Sequence, residues 1–219
     1  FAVTSTVRNI KFISGYGPVD RLAGILDGQF NFVLDGEGQI NRADTHLLLR
    51  ESSILPKQGS KIIPLNGLEF IAKLNGPSLE IERLAIDAKI YGQLALRGKL
   101  TIDNQFKPSV FETQIQAEQL DNELVFNLWP EQLFPKTRSW INANLSGGQV
   151  TSFYLNTGFD LKGDDLKPLF IEGTGNATVS RFEFLRGHEP IVNSEIGISF
   201  AGTKLSGTTF ELDFNKGSV

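Results

Sequence analysis

The chain contains no cysteine, which removes disulfides and thiolate metal sites together and leaves packing as the source of its stability. Its two histidines, His46 and His188, lie far apart with no cysteine beside either, so a metal centre would have to be assembled almost entirely from carboxylates. Lysine and arginine total 21 against 25 aspartates and glutamates, and no basic stretch is interleaved with stacking aromatics. That balance argues against a phosphate-tracking surface, and against nucleic acid as a partner. No apolar run approaches the roughly 20 residues needed to cross a bilayer as a helix. Methionine is absent, and Phe1 to Arg8 has neither the charged start nor the greasy middle of a signal peptide, so the sequence reads as cut from a longer one.

Catalytic signatures are missing as well. There is no Gly-x-Ser-x-Gly elbow and no Gly-x-x-x-x-Gly-Lys phosphate loop, and Gly173-Thr-Gly175 continues to Thr178 without a third glycine. The acidic neighbours Glu80 and Glu82, or Asp164 and Asp165, have the residue types of a glycosidase acid and base. Residues two apart on a strand share a face, however, and these read as the solvated side of a sheet. The expectation is a protein that is not an enzyme and carries neither cofactor nor metal.

What the chain does have is alternation. Leu94, Leu96, Leu100 and Ile102 interleave with Ala95, Arg97, Lys99 and Thr101, while Phe153, Leu155, Phe159 and Leu161 interleave with Ser152, Tyr154, Asn156 and Asp160. Side chains on a strand point to opposite faces with period two, so these segments make a sheet with one apolar and one wet side. Seventeen phenylalanines against three tyrosines and two tryptophans favour side chains that leave water completely. At 219 residues with 40% hydrophobic and 21% charged residues, the composition is globular, fitting one large all-β domain or two small ones.

The strands expected from this pattern fall in two series. Residues 1–120 hold Val7 to Ile13, Leu22 to Leu34, Gln39 to Arg50, Leu68 to Leu74, Leu79 to Ile90, Gln93 to Asp103 and Phe111 to Gln119, with a turn region marked by Pro56, Gly59 and Pro64. Residues 146–219 hold Gln149 to Leu161, Leu169 to Val179, Arg181 to Leu185, Ile191 to Ala201 and Thr203 to Phe214. Gly24 and Gly28 share a face with Leu22, Leu26 and Phe30 and permit curvature there. The apolar phase slips near Arg83, which predicts a bulge or short turn. Between the series, 121–145 is too densely apolar for a strand. Pro130 and Pro135 fit helix starts, Lys136 to Leu145 fits a short amphipathic helix, and Ser146-Gly147-Gly148 ends it. Connections of hairpin length favour an antiparallel meander.

One stretch carries a family resemblance. From Leu128 to Val150 the chain has a Trp129-Pro step, then Pro135, Arg138, Trp140 and Ile141 on one helix, then a glycine that opens a strand. This resembles the YhdP branch of the AsmA-like superfamily. The glycine-rich strand from Gly173 to Phe184 and the Glu189-Pro190-Ile191 step extend the likeness over about 125–219, although His188-Glu189 stands where that branch favours proline or a small residue. The resemblance implies a mainly β fold, a large curved antiparallel sheet forming an open groove, with 1–219 one segment of a longer envelope protein. It implies a site in the bacterial periplasm, tethered to the inner membrane by other parts of the chain, and phospholipid as the partner.

On that reading the groove is lined by Leu94, Leu96, Leu100, Ile102, Phe153, Leu155, Phe159, Phe182, Phe184, Ile196, Ile198, Phe200, Phe210, Leu212 and Phe214. The helix with Trp129, Pro135, Arg138, Trp140 and Ile141 caps one end. The chain would shield acyl chains during transport between inner and outer membranes. Patterning alone fits a second architecture equally, a closed β-sandwich serving as a scaffolding or adhesive module. The two differ in whether protein covers the apolar face.

Overall fold

A computed structural model of the chain describes residues 1–16, 19–56, 61–103, 107–129, 135–162, 167–183, 189–202, 204–207 and 211–213. All of its described strands belong to one antiparallel sheet. In chain order they are β1 (Ala2–Tyr16), β2 (Val19–Leu34), β3 (Ile40–Pro56), β4 (Ile63–Leu65), β5 (Gly67–Asn75), β6 (Ser78–Asp87) and β7 (Gln93–Ile102). There follow β8 (Pro108–Asp121), β9 (Leu145–Ser146), β10 (Gln149–Asp160), β11 (Lys167–Phe182), β12 (Ile191–Ala201), β13 (Lys204–Gly207) and β14 (Glu211–Asp213). The path runs β1-β2-β3-β5-β6-β7-β8-β10-β11-β12-β13-β14, with β4 on β3 and β9 on β11. β1 and β14 do not pair, so the sheet is an open groove and not a barrel. Two short helices, α1 (Asn122–Leu128) and α2 (Pro135–Asn144), occupy the one long connection, between β8 and β10.

Register turns the alternation of single strands into rows that cross the sheet. Ile10, Leu26, Leu49, Leu68, Ile86, Leu94, Ala117, Phe153, Gly175 and Ile198 are successive direct partners. Two residues along each strand, or three across the bulge of β1, runs a second row, Val7, Gly28, Leu47, Phe70, Leu84, Leu96, Ile115, Leu155, Gly173 and Phe200. Directly opposed residues share a face, so both rows lie on the inner side. The phase slip near Arg83 is a register shift between Ile81 and Leu84, and it keeps both of those side chains inward. The glycines in these rows have their space taken by neighbours: a Cβ at Gly28 would stand 2.7 Å from Leu47 Cδ2, and one at Gly175 would stand 3.0 Å from Phe153 Cδ2. Phe153 and Phe200, two strands apart, accordingly meet edge to face at 6.2 Å over the β11 glycines.

At the end of the groove holding the helices, the strands bend. Glu51 (φ 46°) and Gln119 (φ 52°) are left-handed non-glycine residues standing two positions beyond Leu49 and Ala117 of the first row. Each reverses the pleat, so that Leu49 and Ser52, and likewise Ala117 and Leu120, are buried three residues apart. Beyond the bend the sheet closes on a core of Ile54, Ile63, Leu65, Ala88, Ala117, Leu120 and Leu124, drawn from β3, β4, the turn after β6, β8 and α1. A flat sheet would hold β3 and β8 about 19 Å apart, four strand spacings, and β4 and α1 fill the inside of the curl between them.

The outer face is organised by charge. Asp44, Lys73, Glu80, Lys99 and Glu112 are direct neighbours on five adjacent strands with alternating sign. A slip of one residue in any of these strands would turn its charge toward the apolar side and break its pairings, so the ladder opposes wrong register. A second cluster straddles β2, where Asp27 accepts from Arg50 Nε at 2.7 Å and from the backbone N–H of Asn9 at 3.0 Å.

Four elements differ from the sequence reading. The turn region at Pro56 to Pro64 contains β4, because Ile63 and Leu65 are needed in the closing core. The strand expected to reach Ile90 stops at Asp87, and Ile90 sits on a 3-10 turn at 83% exposure. The two strands expected at Leu169 to Leu185 are one: β11 passes through a change of phase at Ser180 and Arg181 because β9 pairs with Arg181 and Phe182. The strand expected at Thr203 to Phe214 is two short antiparallel strands, β13 and β14.

Gly148 tests the closed end. Its φ is +97°, and a Cβ would lie 2.0 Å from Thr178 O. Gly148→Ala is expected to lower unfolding free energy by about 3 kcal/mol. Gly36→Ala, in a turn with nothing within 4 Å, should change it by less than about 0.5 kcal/mol. Urea titration of both variants measures the contrast.

Candidate functional site

The candidate site is the stretch of inner face that no second layer covers. Among the described residues β4, α1, α2 and the 3-10 turn pack at the bent end only, and the second row lies beyond them. Leu47, Phe70, Leu84, Leu96, Ile115, Leu155 and Phe200 are all large and apolar, and all are half-buried, neither sealed nor free. The next inner row, Thr45, Ala72, Ile81, Gly98, Thr113 and Thr157, has smaller side chains, with Ala72, Thr113 and Thr157 buried, and beyond it Leu74, Leu79, Leu100 and Phe111 are again half-buried. The total accessible surface is 13423 Å², about a third more than the roughly 10,000 Å² of a compact 24.2 kDa monomer. A sandwich of two interlocked layers removes that area; a single curved layer leaves it exposed.

The residues expected to line the groove fall into three groups. Leu94, Leu96, Leu100, Ile102, Phe153, Leu155, Ile198 and Phe200 lie on the inner face and are half-buried. Leu94, Phe153 and Ile198 also lean on the closed cores. Phe159, Phe182 and Ile196 are buried at 6%, 2% and 8% exposure, and the last two belong to a second core beneath α2 and so do not line the open stretch. Leu212 lies on β14 opposite Leu205, and Phe184, Phe210 and Phe214 lie outside the described residues. Sequence reasoning missed Leu47, Phe70, Leu84 and Ile115, which alternate as clearly as the residues it chose; only cross-strand register puts them in the same row.

The helices close one end of this face. Trp140 of α2 meets Phe182 edge to face at 5.8 Å, and Leu145, Val150 and Ile191 pack around them. Arg138 donates to the Phe126 carbonyl at 3.2 Å, tying α2 to α1. Asn122 at the start of α1 donates to the Gly147 carbonyl at 2.9 Å, and the Glu183 N–H donates to the Asn144 carbonyl at 2.8 Å, so each helix is tied to the strands. Pro135 opens α2, where its missing N–H costs nothing. Ile141 is half-buried, and Trp129 follows α1 with its N–H on the Val125 carbonyl at 3.0 Å. Pro130 lies outside the described residues.

Titratable groups lie on the other side of the sheet. His46 Nε2 lies 3.0 Å from Glu69 Oε1, and Glu69 also pairs with Arg83 at 2.8 Å. His188, Asp164 and Asp165 lie outside the described residues. Among the described residues no three His, Asp or Glu side chains converge as metal ligands, and no helix is long and apolar enough to cross a membrane. The hydrogen bond from the Asn9 N–H, then that from Arg50, holds the Asp27 carboxyl below its ordinary 3.8. The Glu82 carboxylate holds the Lys73 ammonium above its usual range. None of these groups faces the candidate site. Comparison with family models, curated proteins and solved structures finds no match to this chain.

Two predictions follow from this arrangement. Trp140→Ala removes the ring that seals α2 onto Phe182, and a drop of about 2–3 kcal/mol in unfolding free energy is expected by chemical denaturation. The depressed Asp27 group adds stability above its ordinary value, and that contribution is lost as pH falls through the folded value. The stability gap between wild type and Asp27→Asn should therefore be widest near neutrality and close below pH 3.8, read from thermal midpoints across an acid series.

Proposed function

We propose that this chain is a segment of a conduit that shelters phospholipid acyl chains between two membranes, its uncovered inner rows forming the apolar surface on which the chains lie. The observation that carries the reading is the combination of a single sheet with a continuous apolar face crossing ten strands, partly exposed away from the helical end. Large exposed apolar surfaces on folded proteins mark interaction sites, and this one is an elongated strip instead of an enclosed pocket.

The energetics suit the task. Exposing an acyl chain of about sixteen carbons to water costs on the order of 12 kcal/mol at about 0.8 per methylene. A surface of Leu, Ile and Phe side chains lowers that cost at every point along the path and needs no reactive group. The rows run across the strands, and twelve strands at about 4.8 Å each give a path of about 50 Å along the curved sheet. The resemblance of 128–150 to the YhdP branch supports the same reading and supplies its setting, the bacterial periplasm, with anchorage to the inner membrane by other parts of the protein. α2 and its Trp140 close one long side of the strip, so acyl chains enter along the opposite side or from an end.

A photo-crosslinking residue at Leu96 or Leu155 is expected to give lipid adducts by mass spectrometry after expression in a Gram-negative host, while one at Tyr154, on the outer face, gives none. Equal labelling at inner and outer positions, or gently purified protein free of lipid, would overturn the proposal in favour of a module whose apolar face is covered by protein.

A further inference from the structure

The two halves of the outer face differ in chemistry. Five of the six ion pairs among the described residues lie on β2 to β6, where the alternating ladder satisfies its own charges. From β8 to β13 the outward charges Glu112, Glu172, Glu195 and Lys204 flank two central rows in which Glu118 is the one charged residue. One row is Gln116, Tyr154, Thr174, Ser199 and Ser206, direct partners on five adjacent strands. Beside it run Glu118, Ser152, Asn176 and Gly197. These two rows, with Ala117, Phe153, Gly175 and Ile198 between them, line a shallow depression of about 500 Å³.

The geometry points to this depression as a binding site for an uncharged polysaccharide strand. The side chains of Gln116, Tyr154, Thr174, Ser199 and Ser206 have no hydrogen-bond partner among the described residues, and within the second row Asn176 Nδ2 donates to Ser152 Oγ at 3.3 Å. The floor thus offers amide and hydroxyl groups that both donate and accept, together with the Tyr154 ring at 38% exposure as a stacking surface for a sugar. No lysine or arginine lines it, which disfavours phosphate and acidic glycans, and Glu118 at one margin repels them further. Strands repeat every 4.7–4.9 Å, close to the advance of one unit in a β-linked hexopyranose chain, so a glycan lying across the strands would meet at least one polar side chain per sugar and two on β8, β10 and β11. The site faces away from the proposed lipid surface, and each can stand without the other.

The test is titration of the full chain with cellohexaose and with the β-1,4-linked N-acetylglucosamine hexamer, followed by amide NMR shifts and by calorimetry. Saturable shifts at Tyr154, Thr174, Asn176 and Ser199 are expected. The doubly substituted chain Tyr154→Ala, Asn176→Ala, with an unchanged far-ultraviolet spectrum, should bind about tenfold more weakly. Absence of saturable shifts in the wild-type chain with both sugars, or shifts confined to the inner face, overturns the assignment, as does full affinity in the double variant. Lipid adducts at Leu155, whose side chain lies on the opposite face, report separately on the acyl-chain proposal.

Discussion

Everything in this molecule depends on the period-two geometry of a strand held in register over a dozen neighbours. A single curved layer has no second sheet to correct an error, so register must be specified by the strands themselves. Three devices do this. Large apolar side chains dominate the inner rows, an alternating charge ladder occupies the outer face from Asp44 to Glu112, and glycines at Gly28, Gly173 and Gly175 receive the side chains of particular neighbours. The bulge at Glu82 and Arg83 belongs to the same logic: it adds one residue where the alternation of β6 would otherwise turn Leu79 and Ile81 outward.

The division into a closed and an open end arises from backbone conformation more than from hydrophobicity. Leu49 and Ile54 are equally apolar and both buried, yet Leu49 stands in the first inner row and Ile54 in the closing core, because Glu51 turns the pleat between them. Gln119 turns the pleat between Ala117 and Leu120 and so brings both into the closing core. The connection that carries α1 and α2 then has a receiving surface on each side of it, one built by β3, β4 and β8, the other by β11 and β12. Trp140 and Arg138 hold the insert in place; neither contributes to the uncovered rows.

Much of this was legible in the residues. The alternation at Leu94 to Ile102 and at Phe153 to Phe159 gave the strands and their inner face, the phase slip at Arg83 gave the bulge, and Pro135 gave the helix start. The left-handed residues at Glu51 and Gln119 were not legible, since neither glutamate nor glutamine signals positive φ. β4 was hidden because Pro64 and Gly59 read as turn chemistry, while the burial of Ile63 and Leu65 is decided by partners in β3 and α1. Phe182 and Ile196 alternate just as Phe200 does, and only the position of α2 decides that they are sealed. Whether a greasy face is roofed is a tertiary property, and single-strand patterning is blind to it.

The rows that cross the sheet have a geometric consequence for how such a surface scales. Inserting another hairpin lengthens the strip by about 10 Å, two strand spacings, while the width stays fixed by how many residues each strand carries before it bends. Length and cross-section are thus independent variables in this architecture, one set by how many times the chain doubles back and the other by where residues such as Glu51 and Gln119 interrupt the pleat. A molecule built this way can match an arbitrary gap without redesigning its bore.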